Sequence, residues 1–372
     1  TVTVQHEQRR AGGACTQQEH RPPDRRGQQE ATEGGAALDP CTFIKQLQFH
    51  YGDHFPEQSR LQYVQHILHN VTCALRVILL QMDAMGIQYD SEHNKRLARD
   101  FCEKHTPMSV EAVLSCLKEE DDRVEKAIQS RGDTKRRLTA QDVLKPQVPD
   151  LAVLQLLWTD CGVQCCYARR QKFDFLENLD RITGADYVPT VQDILYIRWP
   201  TLGMQEHAFS VESLEFKVID VAGQKSLRKK WIHFFESVTA VLFFVSLSGY
   251  DDTLEEDPST NMLLDSLQAF HEVSHNHFLE KTDFILFLNK KDLFLERIKT
   301  VSLTKCFPEY KGAWCAESSL RYIKEQFLQH KPGHKQLYIH LTCAVDITGM
   351  RDILANVMDI IMEINLRRTQ LH

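Results

Sequence analysis

The sequence predicts an α/β fold in which an all-helical insert interrupts a mostly parallel sheet. Two continuous apolar runs, Phe216 to Ile219 and Phe284 to Leu288, are typical of strands buried on both faces, and each opens into a polar loop. Residues 60 to 86 instead repeat apolar side chains at helical spacing, and no strand pattern follows them before about residue 207. We therefore expect two domains, one built on a sheet and one helical.

Composition excludes several classes of protein. The 372 residues carry 44 Lys and Arg against 51 Asp and Glu, and the net charge of −7 argues against nucleic acid as the main partner. No apolar run reaches the length of about 18 residues that a transmembrane helix needs. Eleven cysteines are scattered without a CxxC pair, which favours reduced thiols over a zinc site.

The first half of the chain contains a polar segment followed by helices. Residues 1–40 contain no Phe, Trp, Tyr, Ile or Met and concentrate Gln, Arg, Gly, Glu and Pro, so we expect this segment to be disordered. Apolar residues from Leu61 to Met82 predict a long helix that ends at Gly86. Helical patterns recur at 110–117 and 151–158.

The second half alternates strands and helices. The stretches 207–211 and 216–219 predict a hairpin that turns near Glu212, and Ala240 to Ser246 predicts a further buried strand. The remaining predicted elements are helices at 262–270, 293–298, 317–327 and 351–371 and a last strand at 337–341. This order places several strand ends at one edge of the sheet.

The loop after the first buried strand contains the groups of a magnesium and phosphate site. Asp220 stands at the strand end, where a carboxylate can reach a hydrated Mg²⁺. Gly223 allows a backbone N–H to approach a phosphate, and Gln224 can orient a water. By itself, Asp-x-x-Gly fits a strand followed by an ordinary turn equally well.

The loop after the second buried strand favours guanine. It reads Asn289, Lys290, Lys291, Asp292. The Asp292 carboxylate can accept from the N1–H and the exocyclic amine of guanine, an arrangement that adenine lacks, so an ATPase is disfavoured. Asn289 and the stem of Lys290 would hold the loop and cover the ring.

Together these loops and the stretch DVAGQKSLRKKW resemble the α subunits of heterotrimeric G proteins, over most of residues 41–372. The resemblance implies a Ras-like GTPase domain at 41–58 and 187–372 and an inserted helical domain at 59–186. It implies GTP and GDP with Mg²⁺ as cofactors. It also gives nucleotide-binding roles to Asp220, Gly223, Gln224, Asn289, Lys290 and Asp292.

The stretch VPTVQDILYIRWPTLG adds three residues by the same resemblance. Arg198 would stabilise charge in the transition state, Thr201 would complete the Mg²⁺ shell with Asp220, and Leu195 would contact the nucleotide. Taken alone, the first two also fit a surface arginine and a turn threonine. In Thr342-Cys343-Ala344 the Ala344 N–H would face the guanine O6. Gln224 and Arg198 are then the catalytic pair.

The chain departs from the family at the phosphate-binding loop, which has the form GxGESGKST. Pro40 stands where the phosphate-binding lysine belongs, and Cys41 stands where the Mg²⁺-binding hydroxyl belongs. Proline supplies neither an N–H donor nor a charge. Two interpretations follow: an exon absent from this sequence, or a pseudo-GTPase. Leu227 also replaces a family glutamate.

The resemblance implies a signalling function and its partners. We expect a slow GTPase at the cytoplasmic face of the plasma membrane, peripherally attached and otherwise cytoplasmic. A G protein-coupled receptor would bind the C-terminal helix tip INLRRTQLH, an effector would bind the basic segment after Gly223, and the βγ dimer would bind there as well. The alternative is a nucleotide-deficient scaffold that binds βγ and receptor.

Overall fold

The computed structural model describes residues 2–7, 40–106, 149–168, 174–199, 201, 204–211, 214–223, 225–235, 238–254 and 257–369. The chain divides into two compact units, one formed by Thr1–Gly52 with Pro200–His372 and the other by Asp53–Trp199. The strands are β1 (Val2–Glu7), β2 (Met204–Val211), β3 (Leu214–Val221), β4 (Ala240–Ser246), β5 (Asp283–Asn289) and β6 (Leu337–Leu341). The helices are α1 (Pro40–Tyr51), α2 (Glu57–Leu61), α3 (Val64–Met85), α4 (Glu92–Lys104), α5 (Leu151–Trp158), α6 (Cys161–Ala168), α7 (Asp174–Glu177), α8 (Leu179–Ile182), α9 (Val191–Tyr196), α10 (Met262–Ser274), α11 (Lys291–Arg297), α12 (Ala316–Gln329) and α13 (Ile347–Thr369).

The six strands of the described residues form one sheet in the order β2-β3-β1-β4-β5-β6. β4, β5 and β6 are parallel, and β1 is antiparallel to both β3 and β4, so β3 points the same way as β4. The carboxyl ends of these four strands therefore share one edge. The predicted α/β class with a mostly parallel sheet is confirmed, as is the β2–β3 hairpin.

Strand β1 corrects the predicted disorder of residues 1–40. Val2 is in register with Asp220 of β3 and with Leu242 of β4, so β1 lies between two strands. The prediction was wrong for Val2–Glu7 because the polar composition of forty residues hid a short run of β-branched residues, which favour strands. Residues 8–39 lie outside the described part of the chain.

Aromatic side chains pack both faces of the sheet, because neighbouring residues of a strand point to opposite sides. On one face, Phe43 of α1 lies 5.1 Å from Phe244 and 5.0 Å from Phe287, measured between ring centroids. On the other face, Phe243 lies 5.4 Å from Phe270 of α10. Helix α13 covers the first face together with α1. The sheet is thus buried on both sides, as its apolar strands predict.

The second unit is built around α3. Its buried face is apolar, and the helix ends at Gly86, whose φ of 66° is the left-handed conformation that glycine adopts without strain. Residues Glu57–Met85 are long and apolar enough to cross a membrane by length and composition alone. A core helix passes the same test, and α4, α6 and α7 pack against this one.

The boundaries of the helical unit differ from those predicted. We expected 59–186, but the unit spans Asp53–Trp199. The segment before Pro200 belongs to it because Arg60 Nη1 donates to the Pro189 carbonyl at 2.9 Å, and Asn70 bonds the backbone of Arg198. The predicted helix at 151–158 is confirmed, and the one at 110–117 lies outside the described residues.

A buried carboxylate fixes the start of α9. Asp193 accepts from both Nη atoms of Arg181, at 2.8 and 2.7 Å, and from the Tyr187 hydroxyl at 3.0 Å. Asp193 also forms a capping box with Thr190, each side chain bonding the other residue's backbone N–H. Burial alone would raise the pKa of Asp193, but the bonds from Arg181 and Thr190 hold that pKa below its ordinary value of 3.8.

The change Asp193→Asn is expected to lower the free energy of unfolding of the helical unit by about 2 kcal/mol near pH 7, from the lost cap and charged bonds. This figure is already reduced because the Arg181 side chain is 42% exposed. A carboxyl whose pKa is lowered on folding stabilises above its unfolded pKa, and that stability is lost on acidification. Urea unfolding should therefore show the gap between the two proteins closing below about pH 4. A gap that stays constant with pH would contradict this role, and exposed Asp180→Asn is the matched control.

Candidate functional site

The loops after β5 and β6 are joined by one buried side chain. Asn289 is 4% exposed, and its Oδ1 accepts from the Thr342 hydroxyl and from the Ala344 N–H, each at 3.0 Å. The backbones pair as well, since Lys291 N donates to Thr342 O at 3.1 Å. The structure therefore brings Asn289 and Ala344 together at the carboxyl edge.

One predicted contact differs in this arrangement. The Ala344 N–H, which we expected to face the O6 of guanine, donates to Asn289 instead. Because Oδ1 of Asn289 is occupied by Thr342 and Ala344, the NH₂ group of this side chain is the donor left for a purine oxygen. The Ala344 N–H therefore has a protein acceptor in this structure.

Lys290 and Asp292 complete the loop. Lys290 has φ 60° and ψ 40°, a left-handed conformation that is uncommon for a residue with a side chain and is found at functional loops. Asp292 is exposed in the first turn of α11. Burial first, and then the Asp292 carboxylate, raise the pKa of the Cys343 thiol to about 12. Asp292 therefore lies beside the Thr342–Ala344 loop, where a base would be read.

Helix α1 contributes a residue that the sequence did not reveal. Gln46 is buried, and its Nε2 donates to the Ala344 carbonyl at 2.8 Å. The only sequence signal is a polar residue on an apolar helix face, between Phe43 and Leu47. This bond links the helix that follows the phosphate-loop position to the loop predicted to contact the base.

A second group of residues stands at the end of β3. The Thr201 hydroxyl donates to Asp220 Oδ2 at 2.9 Å, and Asp220 is 1% exposed. A hydroxyl and a carboxylate oxygen at this distance are the hard ligands that Mg²⁺ prefers. The pair fits a magnesium ion, whereas the thiol of Cys41, at the position of the second family hydroxyl, is a poor ligand for it.

The two groups share one edge of the sheet. Asp220 lies on β3 and Asn289 on β5, three strand spacings apart in the sheet order. Three spacings of about 4.8 Å put the strands roughly 14 Å apart. Asp220 is aligned through Val2 and Leu242 with Ile285, and Asn289 lies four residues, or roughly 13 Å, further along β5, so the two are roughly 20 Å apart. This distance suits a nucleotide whose base and phosphates are recognised at opposite ends.

The segment after β3 is held by an ion pair. Arg228 Nη1 donates to Asp265 Oδ1 of α10 at 3.0 Å, and its Nε donates to the Gly223 carbonyl at 3.1 Å. Trp231 Nε1 donates to the Ala222 carbonyl at 2.8 Å. Arg228 is thus a largely buried part of this segment and not part of a solvated basic face. Gln224 lies outside the described residues.

Comparison with known proteins decides the class. The family model of the G-protein alpha subunit matches residues 40–361. This chain belongs to the G-protein alpha subunit family. It is 35% identical over 342 residues to the guanine nucleotide-binding protein G(o) subunit alpha of Locusta migratoria, covering 90% of this chain and 88% of that protein.

Membership of the G-protein alpha subunit family confirms the predicted resemblance and the function of the chain in receptor signalling. Members of this family are GTPases, bind guanine nucleotide with Mg²⁺ and work with βγ and receptor partners, typically at the cytoplasmic face of the plasma membrane. The family match begins at residue 40, where α1 starts, so β1 lies outside it.

Two predicted site residues belong to the helical unit. The Leu195 side chain is 1% exposed and packs in the core of that unit. Arg198 is exposed, and both polar groups of its backbone bond Asn70 of α3. Sequence reasoning missed Asn70 because a single asparagine within a helix carries no pattern. It also missed Asp265, whose signal is one acidic residue on an otherwise apolar helix face.

Gln46→Leu is expected to lower the free energy of unfolding of the sheet unit by about 1 to 2 kcal/mol, because the buried Ala344 carbonyl loses its donor. Urea unfolding measures the loss, and the amide exchange of Cys343 and Ala344 should quicken with it. Gln48→Leu, at a half-buried position two residues along the same helix, is the matched control. Equal stability of Gln46→Leu and the native chain would exclude a role for this bond.

Proposed function

We propose that this G-protein alpha subunit binds guanine nucleotide at the carboxyl edge of its sheet and hydrolyses GTP slowly. Asn289, Lys290 and Asp292 would hold the base together with Ala344. Thr201 and Asp220 would hold Mg²⁺, which when bound neutralises phosphate charge. Gly223 would contact the phosphates, Gln224 would orient the attacking water, and Arg198 would stabilise transition-state charge.

One observation carries this proposal. The Asn289 side chain holds the two predicted base-contacting loops together, and the Thr201–Asp220 pair lies at the end of β3, a strand that points the same way as β5. A sheet could bury its strands without this arrangement. The conformation of Lys290 adds to it, because strained residues at strand ends accompany binding loops.

A second function is favoured on the phosphate side of the site. Pro40 is the first residue of α1 and provides no N–H, and Cys41 follows it. In addition, β1 is antiparallel to β3 and β4, whereas a strand that delivers a phosphate loop to the carboxyl edge must be parallel to them. These features support a nucleotide-deficient scaffold for the βγ dimer and receptor.

Equilibrium binding of a fluorescent GTPγS analogue separates the two functions. We expect saturable, Mg²⁺-dependent binding with an affinity weakened to the micromolar range, because the base contacts remain while the lysine of the phosphate loop is missing. Asp220→Asn should abolish the Mg²⁺ dependence. An absence of binding at high micromolar nucleotide, in a chain that still binds βγ, would establish the scaffold instead.

The proposed partners follow from membership of the family. The receptor would bind the end of α13, where Leu366 is 61% exposed. Arg367 Nη2 donates to Asp283 Oδ2 at 3.1 Å, and Arg368 Nη1 donates to the Val238 carbonyl at 2.8 Å, so the last turn of α13 rests on the sheet. The βγ dimer and the effector would bind the segment after Gly223, at a peripheral position on the membrane.

A further inference from the structure

The backbone of Arg198 is held at two points by one side chain. Asn70 Oδ1 accepts from the Arg198 N–H at 2.6 Å, and Asn70 Nδ2 donates to the Arg198 carbonyl at 2.8 Å. Both bonds require this orientation of the amide, because a flipped amide would set donor against donor and acceptor against acceptor. The Asn70 carboxamide thus bonds the backbone of Arg198, which follows helix α9 and is part of neither a helix nor a strand.

The same face of α3 holds the next residue. Trp199 packs edge-on against His66 and His69, with ring centroids 4.7 and 5.4 Å away. His66, His69 and Asn70 are spaced three and four residues apart, so they lie on one face of the helix. Residues 198 and 199 are therefore docked on α3 by a polar and an aromatic contact.

We propose that Asn70 is a positioning residue for Arg198. The inference rests on the role given to Arg198 in the proposed function. An arginine side chain has several freely rotating bonds, so the place its guanidinium reaches depends on a fixed backbone. Asn70 supplies that fixed point from the helical unit, and the exposed guanidinium extends from it. A misplaced charge stabilises a transition state poorly, because such stabilisation depends on preorganised geometry.

The first test needs no nucleotide. Amide hydrogen exchange at Arg198, followed by NMR, should be about tenfold faster in Asn70→Leu, because the Arg198 N–H loses its acceptor and the Arg198 carbonyl loses its donor. Asn70→Asp keeps one acceptor but turns a carboxylate oxygen towards the Arg198 carbonyl, so exchange should quicken there too. Gln65→Leu, an exposed position on the same helix, is the control. Unchanged exchange in both Asn70 variants overturns the proposal.

The second test asks whether Asn70 acts through Arg198. In single-turnover GTP hydrolysis, Asn70→Leu should lower the rate constant about tenfold, in line with the exchange result, and leave GTPγS affinity unchanged. In an Arg198→Ala background the same change should have no further effect. An equal loss in both backgrounds would overturn the proposal. If the native chain hydrolyses GTP no faster than Arg198→Ala, the proposed role of Arg198 fails, and the exchange measurement still decides whether Asn70 holds this segment.

Discussion

Asp292→Asn is expected to change the base that this protein prefers from guanine to xanthine. The carboxylate can accept two charge-assisted bonds, from N1–H and the exocyclic amine of guanine. Losing both should weaken GDP binding about 100-fold, at 1.4 kcal/mol for each factor of ten. Xanthine carries a carbonyl in place of that amine, so the asparagine NH₂ can donate to it. Competition of GDP and XDP against a fluorescent nucleotide measures the ratio of affinities.

The control for this change is Glu296→Gln, which removes the same charge from an exposed position on the same helix. It should leave the ratio of GDP to XDP affinity unaltered. If Asp292→Asn and Glu296→Gln have the same ratio of GDP to XDP affinity, Asp292 does not recognise the base. The pKa of Cys343 provides a further check, since the neighbouring Asp292 carboxylate contributes to raising it to about 12. That pKa should fall in Asp292→Asn.

Thr3→Pro is expected to destabilise the sheet unit by about 3 kcal/mol or more. Thr3 is in register with Ile219 on one side and with Val241 on the other. The N–H of a residue between two strands points to one of them, so proline removes a ladder bond whichever way it points. Urea unfolding monitored by the fluorescence of Trp231, a buried residue of this unit, measures the loss.

Thr3→Val is the matched control because it keeps both the N–H and the branched side chain. Its unfolding midpoint should stay close to that of the native chain. Equal midpoints for Thr3→Pro and Thr3→Val would show that β1 adds nothing to the stability of the sheet. Because the chain has two units, exchange of the β3 and β4 amides should be recorded as well, to assign any change to this unit.

Much of the fold was predictable because its signals are local. The runs 216–219 and 284–288 are apolar throughout, and strands buried on both faces need that pattern. Helix α3 was predictable in the same way, from the spacing of its apolar residues and from the glycine that ends it in a left-handed conformation. The residues Asn289 and Asp220 were predictable as strand-end polar groups, since such ends meet at one edge of a parallel sheet.

The remainder depends on contacts between distant residues. Gln46 meets Ala344 and Arg228 meets Asp265 only after folding, and neither pair leaves a pattern in the chain. The bond from the Ala344 N–H to Asn289 also joins residues that are far apart in the chain. Likewise β1 is a strand because two partners flank it, so averaging composition over residues 1–40 could not reveal it.

The central position of β1 also constrains how the sheet assembles. Val2 pairs with Asp220 and with Leu242, so most of the chain lies between this strand and its partners. Pairings of such long range close slowly, because a large loop must lose its freedom first. Until β3 and β4 have been synthesised, β1 has no strand to pair with. Its unpaired backbone groups can then pair with another chain. Dilution and chaperones that bind unfolded chains should therefore raise the yield of native protein. They should have less effect on the free energy of unfolding of the folded protein.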